Sequence, residues 1–145
     1  MFDRILVPVD GSDGALAALR QAILLQEKFA SQLFILSVYR HYSLLEASMS
    51  MVRPEAPENL DDSMREYATG VVEQAKQIAR NSGVADVRGF VKSGPPARTI
   101  VQFATEREIN LIILGSRGVG DIENYLLGSV SHKVTSLAQC PVMVV

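Results

Sequence analysis

Gly115, Gly118, Gly128 and Ser129 stand in the arrangement G-x-x-G-x9-G-S, with Arg117 inside it and Val130 and Ser131 directly after it. Glycine lets backbone N–H groups approach a ligand that a Cβ would hold off. Serine hydroxyls and an arginine add donors suited to phosphate oxygens. If Gly128-Ser129 opens a helix, its first N–H groups lack partners within the helix and carry a partial positive charge, which suits an anion. This is the chemistry of a cradle for a phosphorylated ligand. Glycines that simply turn a surface loop are the plain alternative, and local chemistry leaves both open. Asp10, in "PVDGSDG" (8–14), is a second candidate, because a carboxylate at a strand end accepts hydrogen bonds from ribose or base groups. The same stretch is also good helix-capping chemistry.

Catalytic chemistry finds less to work with. No G-x-x-x-x-G-K-[ST] occurs, and no G-x-G-x-x-G follows the first apolar run. The two histidines, His41 and His132, are distant in sequence and read as surface residues. No His, Cys and carboxylate cluster has metal-ligand spacing. We therefore assign no catalytic residue and no protein metal site. Slow phosphoryl hydrolysis by positioning and a bound metal ion alone stays open.

These residues need elements to hold them. Continuous apolar runs at 4–9, 32–39, 110–115 and 141–145 predict strands covered on both faces, the habit of parallel sheets. A weaker, alternating run at 87–92 predicts an edge strand. Between them lie helical stripes: Ala15, Leu19, Ala22, Leu25 and Phe29; then Met64, Ala68, Val71, Ala75 and Ile78, stopped by Gly83. Pro95 and Pro96 open a third helix carrying Ile100, Phe103 and Ala104, and Val130, Val134 and Leu137 stripe a fourth. The order βαβαβαβαβ predicts a single α/β domain over residues 1–145. It is a doubly wound, five-stranded parallel sheet of order 3-2-1-4-5 with helices on both faces. Ligands bind such sheets outside the carboxyl ends of the strands, where the order reverses. That crevice lies between strands 1 and 4 and brings "VDGSDG" (9–14) beside the glycine loop.

Bulk properties narrow the partners. A net charge of −2 offers no basic stripe for nucleic acid. The apolar runs are too short to span a membrane, so no membrane insertion is expected. Cys140 is the single cysteine, which suits a reducing, cytoplasmic setting. The stretch "CPVMVV" places an uncharged strand at the sheet edge, which invites pairing with a second copy of the chain. From His41 to Leu60 run twenty residues with no clear element, rich in Leu and Met, which suits adaptable binding as well as packing on the chain's own surface.

The pattern on Gly115, Gly118, Gly128 and Ser129, together with "ILVPVDGS", "LGSRG", "LLGSVSHKV" and "CPVMVV", resembles the nucleotide-binding branch of the universal stress proteins over nearly the whole chain. The resemblance implies an ATP-binding sensor taking part in the stress response, with a divalent ion such as Mg2+. It implies a homodimer through strand 141–145, open to higher assembly. It places Pro8, Val9 and Asp10 on the adenosine side, Val38 at the base and Gly115 near the ribose. Gly118, Gly128, Ser129, Val130 and Ser131 would then surround the phosphates. Any activity is expected to be that of a weak ATPase at most. Asp121 and Glu123, where related proteins often carry a cation, depart from the pattern and put the preferred number of phosphates in question. The segment 41–55 resembles the loop of members encoded beside TRAP-type compatible-solute transporters, which implies a transporter partner.

Overall fold

A computed structural model describes residues 1–40, 57–118 and 127–145, with backbone alone at 57–59. The expectations for segment 41–55 and for Asp121 and Glu123 lie outside the described residues. The elements are β1 (Arg4–Pro8), α1 (Asp13–Phe29), β2 (Gln32–Tyr39), α2 (Pro57–Asn81), β3 (Val87–Ser93), α3 (Pro96–Glu106), β4 (Leu111–Leu114), α4 (Ser129–Leu137) and β5 (Val142–Val144). The sheet order is β3-β2-β1-β4-β5, with every neighbouring pair parallel. This is the doubly wound α/β fold expected from the sequence.

The continuous apolar runs are explained by two separate cores. Ile5, Val7, Leu33, Ile35 and Ile113 pack with α1 and α2 on one face. Leu6, Phe34, Leu36, Ile112 and Leu114 pack with α3 and α4 on the other. Successive side chains of a strand point to opposite faces, so a strand covered on both sides must be apolar at nearly every position. Register carries this across the sheet: Leu6 lies beside Phe34 on one side and Ile112 on the other. β1 therefore sits at the centre, and its carboxyl end opens between those of β2 and β4.

Local sequence chemistry sets the helix ends. Ser12 caps α1, its hydroxyl accepting from the Ala15 N–H at 3.2 Å. Asp13 in the first turn and Lys28 in the last complement the helix dipole. Gly83, at φ +95, closes α2, with the Gly83 N–H bonded to the Arg80 carbonyl and the Val84 N–H to the Ala79 carbonyl. Those two bonds make a Schellman stop, and buried Val84 seals it against Ala79. Pro96 occupies the first turn of α3, where its missing N–H costs nothing.

Some expectations shift. α2 begins at Pro57, before the striped region, because proline at a first helical position fits without strain. Its buried row is Ala68, Val72, Ala75 and Ala79, and Met64, Val71 and Ile78 flank that row half-buried. Leu137, expected inside, is 50 % exposed, since α4 ends there and the chain turns away toward β5. Phe29 lies at the rim and meets Phe2 edge-on at 5.4 Å.

Candidate functional site

The turn leaving β1 is built by three neighbours. Gly11 takes φ +87, a conformation that L side chains rarely adopt. Asp10 Oδ1 accepts the Ser12 N–H at 2.9 Å, and Ser12 in turn caps α1. The capping role weighed for Asp10 is thus realised in part, while its exposed carboxylate also lines the crevice. The two candidate roles are compatible.

The chain leaving β4 meets the first turn of α1 with no side chains between them. A Cβ on Gly14 would stand 2.6 Å from the Arg117 carbonyl oxygen, and one on Gly115 would stand 2.6 Å from the Gly14 carbonyl carbon. Neither backbone can yield as a flexible side chain would. Ser116 then acts as a junction. Its N–H donates to the Val145 carbonyl at 2.9 Å, and its own carbonyl accepts from the Gly128 N–H and from the Ser131 hydroxyl at 2.7 Å. The two ends of the glycine loop are stapled together at this residue.

This staple defines how the helix end is presented. Gly128 is the N-cap of α4 and no side chain caps the helix. The first N–H groups of the helix, on Ser129, Val130 and Ser131, have no partner along the helix axis. All three residues line a cavity of about 660 Å³ that opens at the carboxyl ends of β1, β2 and β4. Pro8, Val9 and Asp10 from β1, Val38 from β2, and Gly115, Arg117 and Gly118 after β4 also line it. Gly128 does not. Its N–H is committed to Ser116, and the buried Ser131 hydroxyl is likewise committed to the Ser116 and Gly128 carbonyls. Both residues therefore shape the loop, and Ser131 is also part of the cavity lining.

The described part of the cavity lining carries more cations than anions. Among the described lining residues the charged groups are Asp10, Arg40 and Arg117. Arg40, at the exit of β2, escaped the sequence reading because nothing in its local pattern marks it. Gly11 and Gly14 carried a signal in "DGSDG", but their packing partners, Tyr67 and Gly115, are remote in sequence. Met64 and Tyr67 of α2 form a further wall that helical periodicity alone could not aim at the crevice. No group of three metal-ligating side chains occurs among the described residues. Cys140 lies outside the cavity lining, and burial pushes its thiol up from the ordinary cysteine value, which keeps it protonated and poorly nucleophilic.

The close approach at Gly14 and Gly115 yields a prediction about stability. Gly115→Ala forces a methyl against backbone and is expected to destabilise the protein by about 1–3 kcal/mol. Gly70, on α2 with nothing within 4 Å of an added Cβ, provides the matched control. Gly70→Ala should stabilise by about 0.5–1 kcal/mol. Urea unfolding of both variants checks the pair, and equal effects would contradict the packing account.

The universal stress protein family model matches residues 1–145. Universal stress protein YxiE of Bacillus subtilis is 36 % identical, with 100 % of this chain and 99 % of that protein covered. Among solved structures, universal stress protein UspA from Lactobacillus plantarum superposes with a TM-score of 0.86 at 27 % identity, covering 99 % of this chain and 97 % of that one. A universal stress protein solved in complex with cAMP shares the fold at a TM-score of 0.72 and 24 % identity, covering 99 % of this chain and 96 % of that one.

Proposed function

Since the chain belongs to the universal stress protein family, we propose that it is a nucleotide-binding regulatory protein that takes ATP and reports nucleotide state through its conformation or assembly. The observation that carries this reading is the open N-terminus of α4, presented to a cavity of about 660 Å³. Such a volume suits a small ligand, and unpartnered helix N–H groups suit a phosphate. Arg117 adds a cation to the same lining. The relative solved with cAMP supports an adenine nucleotide as the ligand class.

Within this reading, Gly118, Ser129, Val130 and Ser131 surround the phosphates, Gly115 lies by the ribose, and Pro8, Val9, Asp10 and Val38 meet the adenosine. A divalent ion, being hard and oxygen-seeking, would be held chiefly by the phosphate oxygens, with Asp10 the carboxylate among the described lining residues. At most a weak ATPase activity is expected under this reading. A cytoplasmic setting belongs to the same proposal and rests on the single cysteine, which suits a reducing compartment. Separately, no helix among the described residues is long and apolar enough to cross a membrane. A regulatory link to a TRAP-type solute transporter rests on the resemblance of segment 41–55 alone.

Calorimetry with ATP and Mg2+ tests the ligand. Wild type should bind, with turnover far below the roughly 10 s⁻¹ of a median enzyme. Ser129→Asp should abolish binding by placing a carboxylate where phosphate sits. The same change should keep or slightly raise stability, because an acidic residue complements a helix N-terminus. No binding of ATP, ADP or AMP to wild type would sink the reading.

Assembly gives a second test. β5 lies at the sheet edge, where Met143 and Val145 are each 37 % exposed. An uncharged edge strand is a template for a second strand, and a two-fold axis would pair two copies of β5 antiparallel. Met143→Lys should shift the protein from dimer to monomer in sedimentation at micromolar concentration. A wild-type monomer, or a dimer indifferent to the lysine, would contradict this interface.

A further inference from the structure

α2 supplies a feature that its core-packing role does not explain. Tyr67 precedes the buried Ala68 and is itself 65 % exposed, yet it lines the cavity together with Met64 and Ala68. Its ring does not simply project into solvent. The phenol oxygen would stand 2.8 Å from a Cβ on Gly11, and its Cζ 3.7 Å, so the ring leans over the turn that leaves β1. Glycine at position 11 makes room for it. The side chain thus bridges α2 and the β1–α1 turn, holding an aromatic surface over the cavity mouth.

The cavity is chemically polarised. Among the described lining residues, the start of α4 and Arg117 belong to the β4 side, while Val38 of β2 and Met64, Tyr67 and Ala68 of α2 form a largely apolar side that also carries Arg40. A mononucleotide has the same polarity, with an anion at one end and a flat π surface at the other. We propose that Tyr67 is the stacking wall for the base and sets a preference for purine over pyrimidine nucleotides. This rests on the nucleotide reading above. The larger face of a purine gains more from stacking than a pyrimidine does, and stacking on an aromatic side chain is a sizeable part of nucleotide affinity.

The chain contains no tryptophan, so Tyr67→Trp introduces a single reporter. Its emission should change on addition of AMP and stay constant with ribose 5-phosphate, which carries the phosphate without the base. By calorimetry, Tyr67→Ala should weaken AMP about ten-fold and narrow the preference for AMP over UMP. It should leave the affinity for ribose 5-phosphate unchanged. Tyr67→Phe should bind AMP as wild type does, because the ring and not the hydroxyl is required. Because Tyr67 is exposed, the alanine variant should keep the wild-type circular dichroism spectrum. Unaltered AMP affinity in Tyr67→Ala would overturn the role of Tyr67 while leaving the nucleotide reading intact. Failure of the wild type to bind AMP or ATP would overturn both.

Discussion

The arrangement of the site depends on a contact made of backbone alone, where Gly14 in the first turn of α1 lies against Gly115 at the exit of β4. Any side chain there would push the helix off the sheet. With these two segments in contact, the turn after β1 and the turn after β4 lie side by side at the crevice. Ser116, one residue further, passes this constraint on. It bonds the end of β5 through Val145 and the start of α4 through Gly128 and Ser131. The chain's last strand, its last helix and the glycine loop are thus tied to the centre of the sheet through adjacent residues.

That tie sets the electrostatics. A helix N-terminus attracts anions only if its N–H groups are left uncapped and turned toward the space where the anion sits. The N-cap of α4 is Gly128, which has no side chain to compete for those N–H groups, and the Ser131 hydroxyl donates backward to the Ser116 and Gly128 carbonyls. The hydroxyl therefore stabilises the loop without competing for the helix end. Arg117 adds a cation to the lining, and β2 and α2 contribute apolar wall through Val38, Met64 and Ala68. The cavity thereby acquires a direction that a nucleotide shares.

The fold was legible in the sequence because it is written in local signals. β2 occupies the residues of its apolar run, 32–39, and Gly83 and Pro96 mark helix ends through backbone chemistry that needs no distant partner. The glycine-loop end of the cavity was legible for the same reason, since glycine spacing and a helix start are local. What lay hidden depends on contacts across the chain. Gly14 reads as a capping-loop glycine until Gly115 is placed on it. Tyr67 reads as an ordinary surface residue of an amphipathic helix until α2 is seen to lean over the β1–α1 turn. Leu137 looked apolar enough to be buried, but helix length and the exit toward β5 decided otherwise.

The most direct test of the central claim is an amide-resolved nuclear magnetic resonance titration of the ¹⁵N-labelled protein with ATP. The amides of Ser129, Val130 and Ser131 should show the strongest phosphate-induced shifts. The Gly128 amide, already bonded to Ser116, should move little and stay protected from exchange. Perturbations that leave the start of α4 untouched, or that release the Gly128 amide, would contradict the account.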